Sequence, residues 1–360
     1  MDHRVRRSRL GERLSALEVD ALIVTRPPNV RYLTGFTGSN GQAVVGADGS
    51  AVFLTDGRYD EQSSREVPDV RRVVYTEGYP LPLVDACRAL GAARVAFERR
   101  GLTYASWERL SELADGLELV PGDDDVEHLR RAKDAREVAL VARAQGFADR
   151  AFEDVVLSGG LRAGVTERAL ARQLEDAMLE AGADDRAFDS IVAFGEHAAE
   201  PHHHVTDRRL ERGDLVKLDF GALCDGYHSD MTRTVAFGEP DARLREIRDL
   251  VAEAQRAGIE AVRPGASSVE VDAAARSVIA AGGQADAFPH GLGHGVGLEI
   301  HEDPFLRWDD GEELLEGMVV TIEPGVYIPR LGGVRIEDMV EVIAGGSREI
   351  PRSTRELIVT

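Results

Sequence analysis

Two segments about a hundred residues apart follow one pattern, and this internal duplication constrains the fold more than any other feature of the chain. Leu161-Arg162-Ala163-Gly164-Val165-Thr166 opens a helical stretch, and Val262-Arg263-Pro264-Gly265-Ala266-Ser267 opens another. Further on, RGDLVKLDFG from Arg212 to Gly221 matches EGMVVTIEPG from Glu316 to Gly325. Each copy predicts two helices followed by a β-hairpin. Two such units bury their apolar faces by pooling the hairpins into one curved antiparallel sheet with the helices on its outer face. A site then belongs in the mouth between the halves.

In the first copy Asp225-Gly226 suits a two-residue hairpin turn. A turn centred there sets Asp219 opposite Thr232, and strand alternation puts Asp230 diagonally across from Asp219, at roughly 7 to 8 Å. In the second copy Glu323 and Glu337 flank a turn near Arg330 to Gly333, and Glu323 holds the place equivalent to Asp219. One acid in a strand is ordinarily a solvent-facing residue; the repeated placement argues otherwise. Four carboxylates facing one another are costly without counter-ions, and two divalent cations neutralise them. HGLGHGVG, from His290 to Gly297, offers a nitrogen ligand, since its glycines allow close backbone approach and leave two imidazoles to face a site. Mostly oxygen ligands with one imidazole favour manganese, with cobalt, iron or zinc as alternatives. Two-metal hydrolases hold their ions about 3.5 to 4 Å apart and activate a water between them.

The first third alternates β-rich runs (Ala21 to Thr25, Ala43 to Val45, Ala51 to Leu54, Val95 to Glu98) with helical patterns, which predicts a small α/β domain over residues 1–123. The acidic stretch Pro121 to Asp125 marks its end. Asp134 with Glu137 three residues later forms a capping box near the start of a second domain, 128–360. With 43 basic against 64 acidic residues the net charge of −21 repels phosphate backbones and anionic membranes, so nucleic acid and membrane are excluded as partners. No apolar run approaches the roughly 20 residues that span a bilayer, and the opening MDHRVRRSRLGERLSAL has the pattern of a charged amphipathic helix, not of a secretory signal. Cys87 and Cys224 form no pair motif, so neither a disulfide framework nor a thiolate site is expected. A cytoplasmic protein is the resulting expectation.

The motifs LDFG at Asp219, SDMTRT at Asp230, HGLGHGVG, TIEPG at Glu323 and VRIED at Glu337 together resemble the metal-dependent proline-specific peptidases, aminopeptidase P and prolidase, which share the pita-bread fold. NVRYLTGFTGSNG from Asn29 and FLTDGRY from Phe53 resemble the creatinase-type N-terminal domain of the same family. The resemblance implies an α/β N-terminal domain followed by an α+β pita-bread domain. It implies Asp219, Asp230, His294, Glu323 and Glu337 as the ligands of two metal ions. His202, within the run His202-His203-His204, His290, His301 and Arg335 match substrate-side residues, and His202, His301 and Glu323 match the catalytic ones. A homodimer that hydrolyses small Xaa-Pro peptides is implied.

Within that family the expectation leans to an aminopeptidase, with an Xaa-Pro dipeptidase as the alternative. The loop Thr34 to Gly41 offers no cation to hold a dipeptide's carboxylate. From a different class, a non-catalytic pita-bread binding protein is the rival, and the intact ligand set speaks against it.

Overall fold

In the computed structural model, which describes residues 2–76 and 78–360, the chain divides into two units between Arg130 and Arg131. In the first unit the apolar run Ala21–Val24 is buried throughout because it lies inside a sheet. It pairs antiparallel with Gly41–Gly46 and parallel with Arg94–Phe97. Ala51–Asp56 and Arg71–Tyr75 extend the sheet on one side, and Glu118–Pro121 on the other. The two edge strands escape the sequence pattern because they are half exposed and carry charges among their apolar residues. Helices bring Leu83, Val84, Cys87 and Leu110 against Ile23, Val44, Leu54 and Val95. The opening segment forms the helix His3–Ala16, and its buried side includes Arg6 and Arg7 beside Leu10 and Leu14. Arg6 lies 4.0 Å over the Tyr32 ring, and Arg7 donates to the Leu33 carbonyl and pairs with Asp69. The acidic stretch ends inside this unit, where Asp125 opens the short helix Asp125–Arg130.

In the second unit the duplication appears bond for bond. The backbone N–H of Gly164 donates to the Leu210 carbonyl and that of Gly265 to the Leu314 carbonyl; Glu167 donates to Arg208 as Ser268 does to Glu312. Thr166 and Ser267 then cap the helices Glu167–Ala181 and Ser268–Ala281. Both Gly164 and Gly265 sit at φ above 80°, where a side chain is strained. The preceding helices are Ala135–Phe152, opened by the Asp134–Glu137 capping box, and Ala242–Ala261.

The first hairpin turns at Asp225-Gly226, both at positive φ, and sets Thr232 opposite Asp219. The second turns at Arg330, with Gly325 opposite Arg335 and, next along the chain, Ile322 opposite Asp338. The strands Ile191–Phe194, Leu215–Phe220 and Met231–Ala236 form one half of the curved surface. Gly293–Gly295, Glu302–Leu306, Val319–Ile322 and Asp338–Ile343 form the other, and a bridge in which Glu337 donates to the Thr232 carbonyl joins them. Leu244, Ile247, Val251 and Ala254 line the inner stripe of their helix against this sheet; each large apolar side chain so buried contributes about 1.5 to 3 kcal/mol. Both cysteines are buried and unpaired. Among the described residues no helix is long and apolar enough to cross a membrane.

Candidate metal centre

The two hairpins deliver their acids to one cavity of about 310 Å³, lined by Asp219, Asp230, Glu323 and Glu337 together with His202, His290, His294, His301 and Arg335. Phe188, Ile191, Ile300 and Phe305 supply apolar wall. Asp230, His294 and Glu337 present ligand atoms within 4.8 Å of one another, all buried. His294 Nε2 lies 3.6 Å from Asp230 Oδ2 and 3.4 Å from Glu323 Oε1.

The choice between the two imidazoles of HGLGHGVG follows from their hydrogen bonds. His294 donates from Nδ1 to the Gly295 carbonyl at 3.0 Å, which leaves the Nε2 lone pair aimed at the acids, the tautomer a metal needs. Burial, and next the neighbouring His301, holds its pKa down at about 3. His290 has no such freedom. Its Nδ1 donates to the Gly291 carbonyl at 2.8 Å, and its Nε2 accepts from the Tyr327 hydroxyl at 2.9 Å.

The glycines of this motif are required by close approach. A Cβ on Gly293 would lie 2.0 Å from the Thr321 carbonyl oxygen, and one on Gly295 2.5 Å from that of Asp303. We expect Gly293→Ala to displace the His294 strand and to lower stability by about 1 to 3 kcal/mol, the usual cost of overpacking. Urea denaturation measures it, and an unchanged midpoint contradicts the account.

The acids are held in an electrostatically unfavourable state. Burial first, and then Glu337, Asp219 and Glu323, raise the Asp230 carboxyl well above its ordinary range; burial, then Glu323 and Asp219, do the same to Glu337. Burial lifts Glu323 to about 7 against the opposing pull of Arg335. Asp219 Oδ1 is buried without a hydrogen-bond partner. An orphaned carboxylate oxygen among acids that resist ionisation, facing a free imidazole nitrogen, fits divalent cations. The remaining carboxylate contacts orient the set: Thr232 Oγ1 donates to Glu337 at 2.6 Å, Thr321 Oγ1 to Glu323 at 3.2 Å, and Arg335 pairs with Asp219.

Residues 139–344 match Metallopeptidase family M24, and residues 6–132 match the Creatinase/Prolidase N-terminal domain. The chain belongs to metallopeptidase family M24. The chain is 42% identical to the uncharacterized peptidase YqhT of Bacillus subtilis over 343 residues, covering 95% of this chain and 96% of that one. It is 37% identical to the Xaa-Pro dipeptidase of Pyrococcus furiosus, over 94% of this chain and 95% of that protein. The solved Xaa-Pro dipeptidase from Bacillus anthracis superposes with a TM-score of 0.96 at 38% identity, covering the whole of both chains. The pita-bread architecture of the M24 unit and the α/β creatinase-type unit before it agree with the expected fold.

Of the consecutive histidines, His202 lines the cavity while His203 is buried away from it against Glu167. His203 joins His197 and Thr206 around Glu167, whose carboxylate also accepts from the backbone of Phe194 and Thr206. This second cluster of one acid and two histidines is satisfied by hydrogen bonds and anchors the loop that carries His202. Beneath the same loop, buried Lys217 donates to the carbonyls of Ala198, Glu200 and Pro201. Sequence reasoning did not single out Lys217, Tyr327, Phe188 or Arg307. For Lys217 the signal was present: a lysine between apolar residues of a central strand needs acceptors.

Arg335 is 3% exposed, and four of its five N–H groups are engaged. Nε donates to Thr232, Nη1 to Tyr327 and to the Pro201 carbonyl, and Nη2 to Asp219.

Proposed function

We propose that this M24 chain is a dinuclear metal-dependent exopeptidase that hydrolyses the bond between an N-terminal residue and proline. The carrying observation is the convergence of four acids, three of them with raised carboxyl pKa values, and the free His294 nitrogen on one cavity. Asp219, Asp230, His294, Glu323 and Glu337 would hold the ions. When bound, these supply Lewis acidity and a water activated near neutral pH. The complete ligand set supports catalysis over a binding-only use of the fold.

Glu323, which reaches the cavity beside His294 Nε2 at 3.4 Å, is placed to take the proton of the attacking water and return it to the proline nitrogen, which must leave as a secondary amine. His202 and His301 carry lowered pKa values, in each case chiefly from burial. As neutral imidazoles they donate to the scissile carbonyl oxygen as it gains charge. Proline offers no amide hydrogen, so recognition rests on ring shape against the apolar wall. The Arg335 donors support a positioning role, holding Asp219 and the His202 loop, in place of the substrate contact that the resemblance implied.

The relatives named Xaa-Pro dipeptidase support the dipeptidase as the finer reading, against the aminopeptidase that loop Thr34 to Gly41 favoured. Manganese is supported by the mostly oxygen ligand set, a homodimer by the resemblance, and a cytoplasmic setting by the two unpaired cysteines. Initial rates on Ala-Pro, Ala-Pro-Ala and Ala-Ala with added manganese test the proposal. Equal turnover of Ala-Ala overturns proline specificity, and faster turnover of the tripeptide overturns the dipeptidase.

His301 packs edge-on to His294 with ring centroids 4.3 Å apart, and it is not needed to complete the ligand set. We expect His301→Ala to keep its metal content and lose roughly a hundred- to a thousandfold in kcat, the effect of removing one donor to a developing oxyanion. Metal analysis decides: loss of metal in step with activity makes His301 a support of the ions.

A further inference from the structure

We propose that Lys217 is a positioning residue for the reaction, a strut that fixes the distance between the strand bearing Asp219 and the loop bearing His202. The inference rests on the Xaa-Pro reading above, in which His202 donates to the scissile carbonyl oxygen. The His202 side chain is exposed and faces the cavity, so its place depends on the backbone that carries it. That backbone, from Gly195 to Thr206, is one short helical turn, Gly195–Ala199, followed by irregular chain, and side chains hold it.

Lysine occurs at Lys133 and Lys217 alone among the 43 strong bases of the chain. Arginine serves at every other such position, so a lysine at a fully buried one points to a geometry that a guanidinium does not fit. The surroundings of Lys217 supply that geometry. Its Nζ donates to three carbonyl oxygens of the loop, those of Ala198 at 3.3 Å, Glu200 at 2.5 Å and Pro201 at 3.2 Å. Three donors about one nitrogen match three converging acceptors, whereas the five N–H groups of an arginine lie in one plane. The Tyr327 ring covers the same nitrogen, with its centroid 5.2 Å away. At its other end Lys217 lies two residues before Asp219 in the strand Leu215–Phe220, so the two side chains leave one face. The strut is thus rooted beside a proposed metal ligand and ends on the residues that immediately precede His202. Arg335 reaches the loop at the Pro201 carbonyl, and Glu167 holds its far side through His197, His203 and Thr206. Without the amino group, the carbonyls of Ala198 and Glu200 lose a buried donor, and a buried acceptor left without a partner drives the backbone to move.

Two measurements test this, one of them without turnover. In the metal-free full chain, Lys217→Met should speed amide hydrogen exchange across residues 196–206 by about tenfold, the weight of one buried hydrogen bond, and leave exchange in the strand Ala21–Val24 unchanged. In manganese-loaded protein the same substitution should lower kcat on Ala-Pro by about ten- to a hundredfold, the effect of a displacement near 1 Å. KM should change less than kcat, because His202 acts on charge that develops in the transition state. Metal content should stay at the wild-type value. In a His202→Ala background Lys217→Met should cost no more than about twofold, since the group it positions is gone. Lys217→Arg should restore neither the exchange rate nor kcat. Lys217→Gln, which keeps two donors on a shorter stem, should fall between wild type and the methionine variant, and it carries the same cycle if the methionine variant does not fold. Unchanged exchange, losses that multiply with those of His202→Ala, or metal lost in step with activity overturn the assignment. A wild type that cuts no Xaa-Pro peptide overturns the proposed function, and the exchange rates then decide the strut alone.

Discussion

Replacing Glu337 by Gln, or Asp230 by Asn, is expected to reduce turnover by more than about a thousandfold, beyond the effect of losing any single hydrogen-bond donor in the site, while making the metal-free protein more stable. Both effects come from one cause. Burial and mutual repulsion raise the carboxyls of Asp230, Glu323 and Glu337 above their ordinary values, so ionising them strains the fold until cations arrive. A folded-state pKa above the unfolded one means that the native state binds more protons, and stability falls as pH rises between the two values. For Glu323 that window runs from 4.5 to about 7. Metal-free wild type should therefore lose stability across this range, and the isosteric variants should lose less of it. Added manganese should restore wild type, by about 4 kcal/mol at a thousandfold excess over its dissociation constant, and should do little for the variants. Thermal melts from pH 4.5 to 8, with and without chelator, read all of this. A variant that keeps normal turnover, or a metal-free wild type whose melting point climbs through the window, contradicts the assignment of these acids.

Arg335→Met is expected to produce the second large effect, in the opposite direction on stability. Arg335 is the buried countercharge of the site, paired with Asp219 and pulling the Glu323 and Glu337 carboxyls down against burial. Removing one partner of a buried pair typically costs about 3 to 5 kcal/mol because the other charge is left uncompensated. The same side chain clamps the Pro201 carbonyl next to His202 and the Tyr327 hydroxyl that supports His290. Both arms loosen together. Arg335→Lys should recover little, since one ammonium cannot reach Thr232, Tyr327, Pro201 and Asp219 at once. Urea denaturation of the metal-free variants measures the loss; a midpoint equal to wild type shows that Asp219 finds another partner and removes the clamp from the account. In metal-loaded protein the expected signature is a fall in kcat larger than any rise in KM, because the groups displaced act on the reacting bond.

The register of the first hairpin was legible because Asp225-Gly226 admits little else: two residues at positive φ fix the turn, and every pair back to Asp219 and Thr232 follows by alternation. The duplication was legible for a similar reason, as Gly164 and Gly265 each open a helix through the same backbone bonds. Apolar periodicity was enough for the stripe of Leu244, Ile247, Val251 and Ala254. These are local constraints, and a chain carries them wherever it folds. What the tertiary structure alone decided are the matters of direction and access. His290 and His294 are alike in sequence, and only the acceptors at Gly291 and Gly295 together with the Tyr327 hydroxyl leave one ring nitrogen free and engage the other. Arg335 is likewise one arginine of many in the sequence, and only its burial among four acceptors makes it the countercharge of the site. The sequence determines which groups exist and their order along each strand. Which of them retains an unsatisfied hydrogen bond or charge depends on contacts made by residues distant in the chain, and that remainder is what a metal ion or a substrate can use.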